Sequence, residues 1–200
     1  TPLQLSQELF DIESIEVLKG PQGALYGRSA IAGAINVVSK KPGDEIENVI
    51  RLGVGDGGHK SVNFKSSGPI SPGVLSYSIF AVTMEYDGGI MNTHLNQEVD
   101  FRENDTFRGR LIWTPTDQLE IDIFANKDDL YAGTYHFSTV VDSNGVAIFG
   151  DASRYDYPIQ AESLTTGDRE FEEIAMNITY EPSFGGTIKY SFAMHDLEEH

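Results

Sequence analysis

The sequence contains no cysteine, so no disulfide framework can hold its fold together. It also lacks any run of about 18 apolar residues, so its pattern encodes no transmembrane helix, and residues 1–10 have neither the basic start nor the apolar core of a signal peptide. Basic residues are scarce, with 14 Lys and Arg against 31 Asp and Glu. The resulting net charge of −17 argues against a nucleic acid partner.

Motifs for catalysis are absent too. There is no nucleophile-elbow serine, no HExxH motif and no converging acid and base beyond the general abundance of carboxylates, so we expect no enzyme and no catalytic residue. His59, His94 and His136 are scattered without the paired spacing of metal ligands, and we expect no metal site. Asp128 and Asp129 could bind calcium, although such a pair is more often a solvated strand end.

The acidic residues are distributed unevenly along the chain. Residues 1–43 contain four acidic and four basic residues, whereas residues 44–200 contain 27 acidic and 10 basic residues. The whole net charge therefore comes from the second part. We predict a boundary near residue 43 between two units, 1–43 and 44–200.

Residues 12–43 predict a strand, a compact loop and a second strand. An apolar strand ends at Leu18, Gly20 and Pro21 interrupt it, and 30–38 is rich in small and β-branched residues. The segment GALYGRS was also considered as a phosphate loop. It has one residue too few between its glycines, and Arg28 stands where that motif needs lysine.

From residue 46 onward, apolar and polar residues alternate with a period of two, which predicts β-strands. We count seven strands, in the regions 50–55, 61–65, 75–85, 107–113, 119–123, 173–180 and 188–195. No helix is predicted in this part. The fold class is therefore mainly β.

The predicted connections alternate between short and long. Short turns at 67–73, 114–118 and 181–186 alternate with long loops near 87–104 and 127–170. This asymmetry is typical of outer-membrane β-barrels, which have tight periplasmic turns and long extracellular loops. A soluble β-domain would show similar strand alternation, but a loop of some forty residues would be unusual in one.

The segments IESIEVLK, GPQG, LYG and AGAINVVSKKP, taken together, closely resemble the end of the plug domain in TonB-dependent outer-membrane receptors. The resemblance implies that 1–43 is the C-terminal part of a plug and that 44–200 supplies the first seven antiparallel strands of a transmembrane barrel. A barrel wide enough for a plug needs about 22 strands, so we expect this sequence to be an internal piece of a longer protein.

The same resemblance implies a function and a location. Such receptors lie in the outer membrane of Gram-negative bacteria, contact its lipid, and import scarce nutrients with energy from TonB and the ExbB/ExbD complex. The expected cargo is a ferric siderophore, with iron present only as chelated cargo and no covalently bound cofactor. Cobalamin, haem and oligosaccharide remain alternative cargoes, and a soluble β-rich binding or adhesin domain remains an alternative class. A porin is disfavoured because 1–43 encodes a plug.

The resemblance also suggests which residues contact the ligand. LYGRSA matches the apical loop of the plug, so Tyr26, Arg28 and Ser29 are the expected ligand residues there, although Tyr26 could instead pack against the barrel wall. The candidates in the extracellular loops are His94, Tyr131, Tyr135, His136, Tyr155 and Tyr157. Four polar residues of the predicted inner face, Arg108, Arg110, Glu120 and Asp122, are expected to pair with the plug.

Overall fold

The structure is a computed structural model, and it describes residues 12–21, 23, 32–133 and 162–200. Within these ranges the chain forms eleven strands. They are β1 (Ile12–Lys19), β2 (Gly33–Ser39), β3 (Glu47–Val54), β4 (Lys60–Ser71), β5 (Leu75–Tyr86), β6 (Met91–Asn92), β7 (Gln97–Glu98), β8 (Arg102–Thr116), β9 (Leu119–Gly133), β10 (Thr166–Tyr180) and β11 (Ile188–Glu199). In the described part of the chain, no helix is long and apolar enough to cross a membrane.

The strands β1 and β2 pair as an antiparallel hairpin, with Val17 opposite Ile35. The strand predicted at 30–38 is described from Gly33 onward, and this glycine has a φ of +155°. A Cβ atom at this position would lie 2.4 Å from the carbonyl oxygen of Leu18. Only glycine fits here without a shift of the backbone, so the start of β2 depends on the absence of a side chain.

Seven strands form one sheet in the order β11-β10-β9-β8-β5-β4-β3, and all neighbours are antiparallel. Each of the seven strands predicted from the alternation corresponds to one of these, which confirms the mainly β fold class. The two short strands β6 and β7 pair with each other between β5 and β8 along the chain. The division of the chain into two units at residue 43 stays a prediction.

Several strands are longer than the sequence suggested. The long loops were predicted near 87–104 and 127–170, but β8 begins at Arg102, β9 continues to Gly133 and β10 begins at Thr166. The turns at the opposite end are correspondingly tight, because only 72–74 and 117–118 separate the strands on either side. The two long connections, 87–101 and 134–165, therefore start from one end of the sheet, which also carries the short turn 55–59, while 72–74, 117–118 and 181–187 lie at the other end.

The two faces of the sheet differ in polarity in an unusual way. The face that carries Arg108 and Arg110, here called the inner face, buries polar side chains, namely Asn63, Lys65, Ser67, Ser78, Asn104, Thr106, Asp122, Asp128 and Arg169. It also buries Phe80, Val82, Ile112, Leu130 and Ala132. The opposite or outward face exposes large apolar side chains, including Ile50, Leu52, Phe64, Ile79, Phe107, Leu111, Trp113, Ile123, Ile174 and Phe192.

A sheet in water normally buries its apolar side chains and exposes its polar ones. Here the contiguous apolar face is the exposed one, and exposed apolar patches of this kind mark contact with a membrane or another partner. Polar-in and apolar-out alternation along each strand is the pattern of a barrel strand in lipid.

Candidate functional site

The side chain of Arg110, on the inner face of β8, bonds both to the sheet and to the hairpin. Its Nε donates to Oδ1 of Asp122 at 2.9 Å and its Nη2 donates to Oδ2 at 2.6 Å. The two side chains are only 15% and 8% exposed. Because the planar guanidinium meets the carboxylate through two parallel hydrogen bonds, this ion pair has a defined geometry and little competition from water.

The remaining nitrogen of Arg110 contacts the end of the hairpin. Nη1 donates to the carbonyl oxygen of Ser39 at 3.3 Å and is 3.2 Å from its Oγ. The ion pair with Asp122 therefore orients the guanidinium toward the last residue of β2. The expectation that Arg110 pairs with a residue of 1–43 is confirmed by these contacts.

Two further ion-pair groups lie along the segment that joins the hairpin to the sheet. Lys41 Nζ is 3.0 Å from Glu120 Oε1. Glu47 Oε2 lies 3.4 Å from Lys40 Nζ and 3.1 Å from Lys65 Nζ, and the Lys65 side chain is only 7% exposed. The pair of Lys41 is half exposed, so its contribution to stability is small compared with that of the buried Arg110 pair.

Arg108 is bonded differently from Arg110. Its Nε donates to Oδ1 of Asn126 at 3.0 Å, and its guanidinium carbon lies 5.3 Å from the ring centroid of Phe80. Both partners belong to the sheet. These two contacts hold the side chain of Arg108 against the inner face of the sheet.

A cavity of about 460 Å³ separates the hairpin from the inner face of β8, β9 and β10. The hairpin contributes the apolar side chains of Ile12, Ile35 and Val37. The sheet contributes mostly polar ones, Arg108, Arg110, Asp122, Asn126, Glu173 and Asn177, together with Phe124 and Phe171. Its polar wall has donors and acceptors for water or a small polar solute.

A second polar cluster lies on the inner face nearer the long connections. Asp128 accepts from Arg169 Nη2 at 2.5 Å and from Thr106 Oγ1 at 2.7 Å. Thr106 Oγ1 in turn accepts from Asn104 Nδ2 at 3.0 Å. Interpreting Asp128 and Asp129 as a solvated strand end was wrong for Asp128, because β9 continues past it and the carboxylate is buried against a guanidinium. That positive charge also disfavours a calcium ion at Asp128.

Within 12–21, 32–133 and 162–200, no group of three or more His, Asp or Glu side chains is placed to hold a metal ion. His94 lies exposed between β6 and β7, where its backbone N–H donates to Asn92 Oδ1 at 2.9 Å. Tyr131 is on the outward face of β9, with its ring 5.2 Å from that of Phe101. The expectation that Tyr131 lies in a loop was wrong, because β9 continues to Gly133. A ligand role of His94 and Tyr131 stays a prediction. The other candidates, Tyr26, Arg28, Ser29, Tyr135, His136, Tyr155 and Tyr157, lie outside the described residues.

The sequence did not predict that Ser39 and the two lysines after it contact the sheet. Ser39 contacts Arg110 through its backbone carbonyl oxygen as well as its hydroxyl. Every residue has a backbone carbonyl, so the sequence cannot indicate such a contact. Lys40 and Lys41 were assigned no role from the sequence. A basic pair at the point where the acidic part of the chain begins is a signal that could have indicated ion pairing there.

Comparison with known proteins agrees with this geometry. Residues 4–34 match the model of the TonB-dependent receptor plug domain. The chain is 31% identical over 149 residues to the probable TonB-dependent siderophore receptor PirA of Acinetobacter baumannii, covering 68% of this chain and 20% of that protein. It is 40% identical over 86 residues to the pesticin receptor of Yersinia pestis, covering 43% and 13% respectively. The chain thus spans about a fifth or less of these relatives.

The fold is similar to a solved structure as well. The ferric yersiniabactin uptake receptor FyuA from Yersinia pestis superposes with a TM-score of 0.78 at 23% identity. The match covers 96% of this chain and 29% of that receptor. At this level of identity the likeness concerns the fold.

Proposed function

This chain belongs to the TonB-dependent receptors, and from that premise we propose that the full-length receptor imports a ferric siderophore across the outer membrane of a Gram-negative bacterium. The observation that carries the proposal is the inverted polarity of the sheet. Its apolar face is exposed, and its polar face is turned toward a hairpin whose first strand lies within residues 4–34, the segment that matches the plug family. A transporter needs this arrangement, because lipid surrounds the wall while polar cargo passes inside it.

The outward face supports the proposed location. Removing apolar surface from water is favourable by about 25 cal/mol per Å². A face with many side chains like Phe107, Leu111 and Ile123 is therefore stable only when it is covered. In lipid every backbone N–H and C=O group must also be bonded within the protein. The antiparallel ladders meet this demand on both sides of β4, β5, β8, β9 and β10 and on one side of the edge strands β3 and β11. We place these strands in the outer-membrane lipid.

The energy for transport has to reach the segment inside the wall. We infer that TonB, with ExbB/ExbD, pulls on the plug from the periplasmic side. Arg110 holds Ser39 at the end of β2, and the wall residues Glu47 and Glu120 hold Lys40 and Lys41. A pull on the upstream part would therefore strain the hairpin while its downstream end stays attached. The cavity between the hairpin and the inner face gives the hairpin room to shift.

The cargo proposal rests on the relatives. One relative is named as a siderophore receptor, and the structural neighbour takes up ferric yersiniabactin. We propose that iron arrives already chelated and that the protein binds no cofactor and catalyses no reaction. Tyr26, Arg28 and Ser29 at the plug apex remain the proposed contacts, because a guanidinium and a phenol suit the oxygen-rich surface of such a chelate.

The test is uptake of radiolabelled cargo by a strain that lacks its own siderophore receptors and carries the full-length receptor, with labelled iron in the siderophores and haem and labelled cobalt in cobalamin. Catecholate, hydroxamate and phenolate ferric siderophores are offered separately, with cobalamin and haem as other cargoes. We expect accumulation with at least one siderophore and its loss when TonB is deleted. Uptake of cobalamin or haem alone would reassign the cargo, and uptake that persists without TonB would contradict the energised step.

A further inference from the structure

The cavity between the hairpin and the sheet is a cleft that runs along the strands. On β10 its lining extends from Phe171 through Ala175 to Asn177, always on the inner face. These six steps along a strand span roughly 20 Å of chain, and about ten residues of a tilted strand cross the membrane hydrocarbon. The volume of about 460 Å³ is within the size range of binding sites for small organic molecules. The cleft therefore follows more than half of the distance that a cargo has to travel.

The two sides of the cleft differ in what they can bond. Ile35 and Val37 line it on the hairpin side and are 64% and 38% exposed. Aliphatic side chains neither donate nor accept hydrogen bonds. The wall on the sheet side is polar, with Asn126, Glu173 and Asn177 along it. The hairpin can therefore move away from the wall here without breaking side-chain hydrogen bonds of Ile35 or Val37, and the polar wall suits a hydrophilic solute.

The cleft is closed at the end that faces the turn 117–118. Asp122 lies near the start of β9 at this end, and Arg110 links it to Ser39 of the hairpin. The contacts of Arg110 with Ser39 are 3.3 and 3.2 Å long, whereas its bonds to Asp122 are 2.9 and 2.6 Å. Because longer hydrogen bonds are weaker, a pull on the hairpin separates Ser39 first and leaves the ion pair intact.

We propose that this cleft is the passage along which the cargo moves, and that the contact between Arg110 and Ser39 is the gate at its periplasmic end. The inference rests on the proposed function and names the part of the wall that the cargo uses. When the hairpin shifts, Ser39 leaves Arg110, and the cleft opens toward the short turns, which face the periplasm in a membrane barrel. A hydrophilic chelate then moves between the aliphatic hairpin residues and the polar groups of β8 to β10.

The first experiment obstructs the cleft of the full-length receptor. Ala175→Trp places an indole ring inside it, whereas Ala125→Trp places the same ring on the outward face of β9. The probe is a radiolabelled ferric catecholate, hydroxamate or phenolate siderophore, whichever the unmodified receptor imports. We expect the maximal uptake rate to fall at least tenfold in Ala175→Trp, while its affinity for the siderophore in cells without TonB stays that of the Ala125→Trp control.

Two results of this experiment would overturn the passage. One is uptake by Ala175→Trp at the rate of the control, and the other is a parallel loss of affinity, which would make the cleft part of the outer binding site. If Ala175→Trp does not assemble, Ala175→Cys is modified with a bulky polar maleimide after assembly, and the same cells before treatment are the control. Uptake that persists after complete modification would overturn the passage as well.

The second experiment tests the gate. Ser39→Cys keeps the backbone carbonyl that Arg110 contacts and adds a thiol, whose rate of reaction with a polar maleimide reports exposure. We expect this rate to rise severalfold when siderophore and TonB are both present, and to stay constant in Ser67→Cys, buried on the inner face of β4 outside the cleft lining. Equal rates in Ser39→Cys with and without TonB would overturn the gate. Failure of the unmodified receptor to import any siderophore would instead contradict the proposed function.

Discussion

Arg110 and Asp122, on neighbouring strands of the sheet, form a two-bonded ion pair that also reaches Ser39 at the end of the hairpin. The pair is nearly buried, and the hairpin contact uses the one guanidinium nitrogen that Asp122 does not occupy. The ion pair of the sheet thereby holds the last residue of the hairpin in place. Four predictions concern this junction, the outward face, the hairpin turn and the plug apex.

Replacing Arg110 with alanine in the full-length receptor should loosen the junction. The substitution leaves Asp122 buried without its cation, and breaking such a pair costs about 3 kcal/mol. We expect a lower unfolding midpoint for the plug and faster proteolysis after Ser39, measured by limited digestion of the receptor in detergent.

Lys41→Ala is the matched comparison for Arg110→Ala. It removes a half-exposed partner of Glu120 on the same segment, and such pairs contribute under about 1 kcal/mol. Equal sensitivity to protease in the two variants would contradict the central place of Arg110.

Leu111→Arg tests whether the outward face contacts lipid. Leu111 is 43% exposed, so in a soluble domain the change would be mild. In a membrane it should cost roughly 2–4 kcal/mol near the midplane, whereas Asp105→Arg at the outer end should cost about 0–1 kcal/mol. The measurement is the unfolding free energy after folding into lipid vesicles. Similar values for the two variants would refute the membrane placement.

Gly33→Ala should disrupt the hairpin β1–β2. The new Cβ would lie 2.4 Å from the Leu18 carbonyl oxygen at a φ of +155°. Strained backbone of this kind costs on the order of 1–3 kcal/mol. Gly43→Ala, where a Cβ would meet nothing within 4 Å, is the control. We expect the first variant to be cut by protease within β1 or β2 and the second to resist like the parent protein.

Arg28→Ala should weaken cargo binding without affecting assembly of the receptor. A hydrogen bond to a charged group contributes about 1.5–3 kcal/mol, so we expect a loss of affinity of roughly tenfold or more. Calorimetry with the siderophore that supports uptake gives the value, and heat-resistant migration in gels reports assembly. Unchanged affinity would remove Arg28 from the site.

The seven strands could be predicted from the sequence because a strand alternates its side chains between two faces whatever covers them. The ends of these strands toward the long connections could not be predicted in this way. In β9 the outward residues change from Ile121 and Ile123 to Lys127 and Asp129, while the inner residues Leu130 and Ala132 become apolar and buried. The polarity of the two faces inverts along one strand. A search for one apolar face therefore stops at Ile123, ten residues before the strand ends.

The junction was predictable only in part. Charged residues at alternate positions of β8 and β9 indicated that Arg110 and Asp122 share a face, and both were expected to pair with the plug. Arg110 does so through Ser39, whereas Asp122 pairs with Arg110 of the neighbouring strand. The contact with Ser39 could not be predicted, since it depends on how the hairpin is placed against the sheet. The burial of Asp128 could not be predicted either, because its partner Arg169 lies on β10, 41 residues away along the chain.

The lengths of β8, β9 and β10 have one more consequence. Each contains 15 residues, while about ten residues of a tilted strand suffice to cross the hydrocarbon of a membrane. About five residues per strand, roughly 16 Å of chain, would then extend beyond the bilayer as a hydrogen-bonded rim. An arriving chelate would pass this hydrogen-bonded rim, with its carboxylates facing the surroundings, on its way into the barrel.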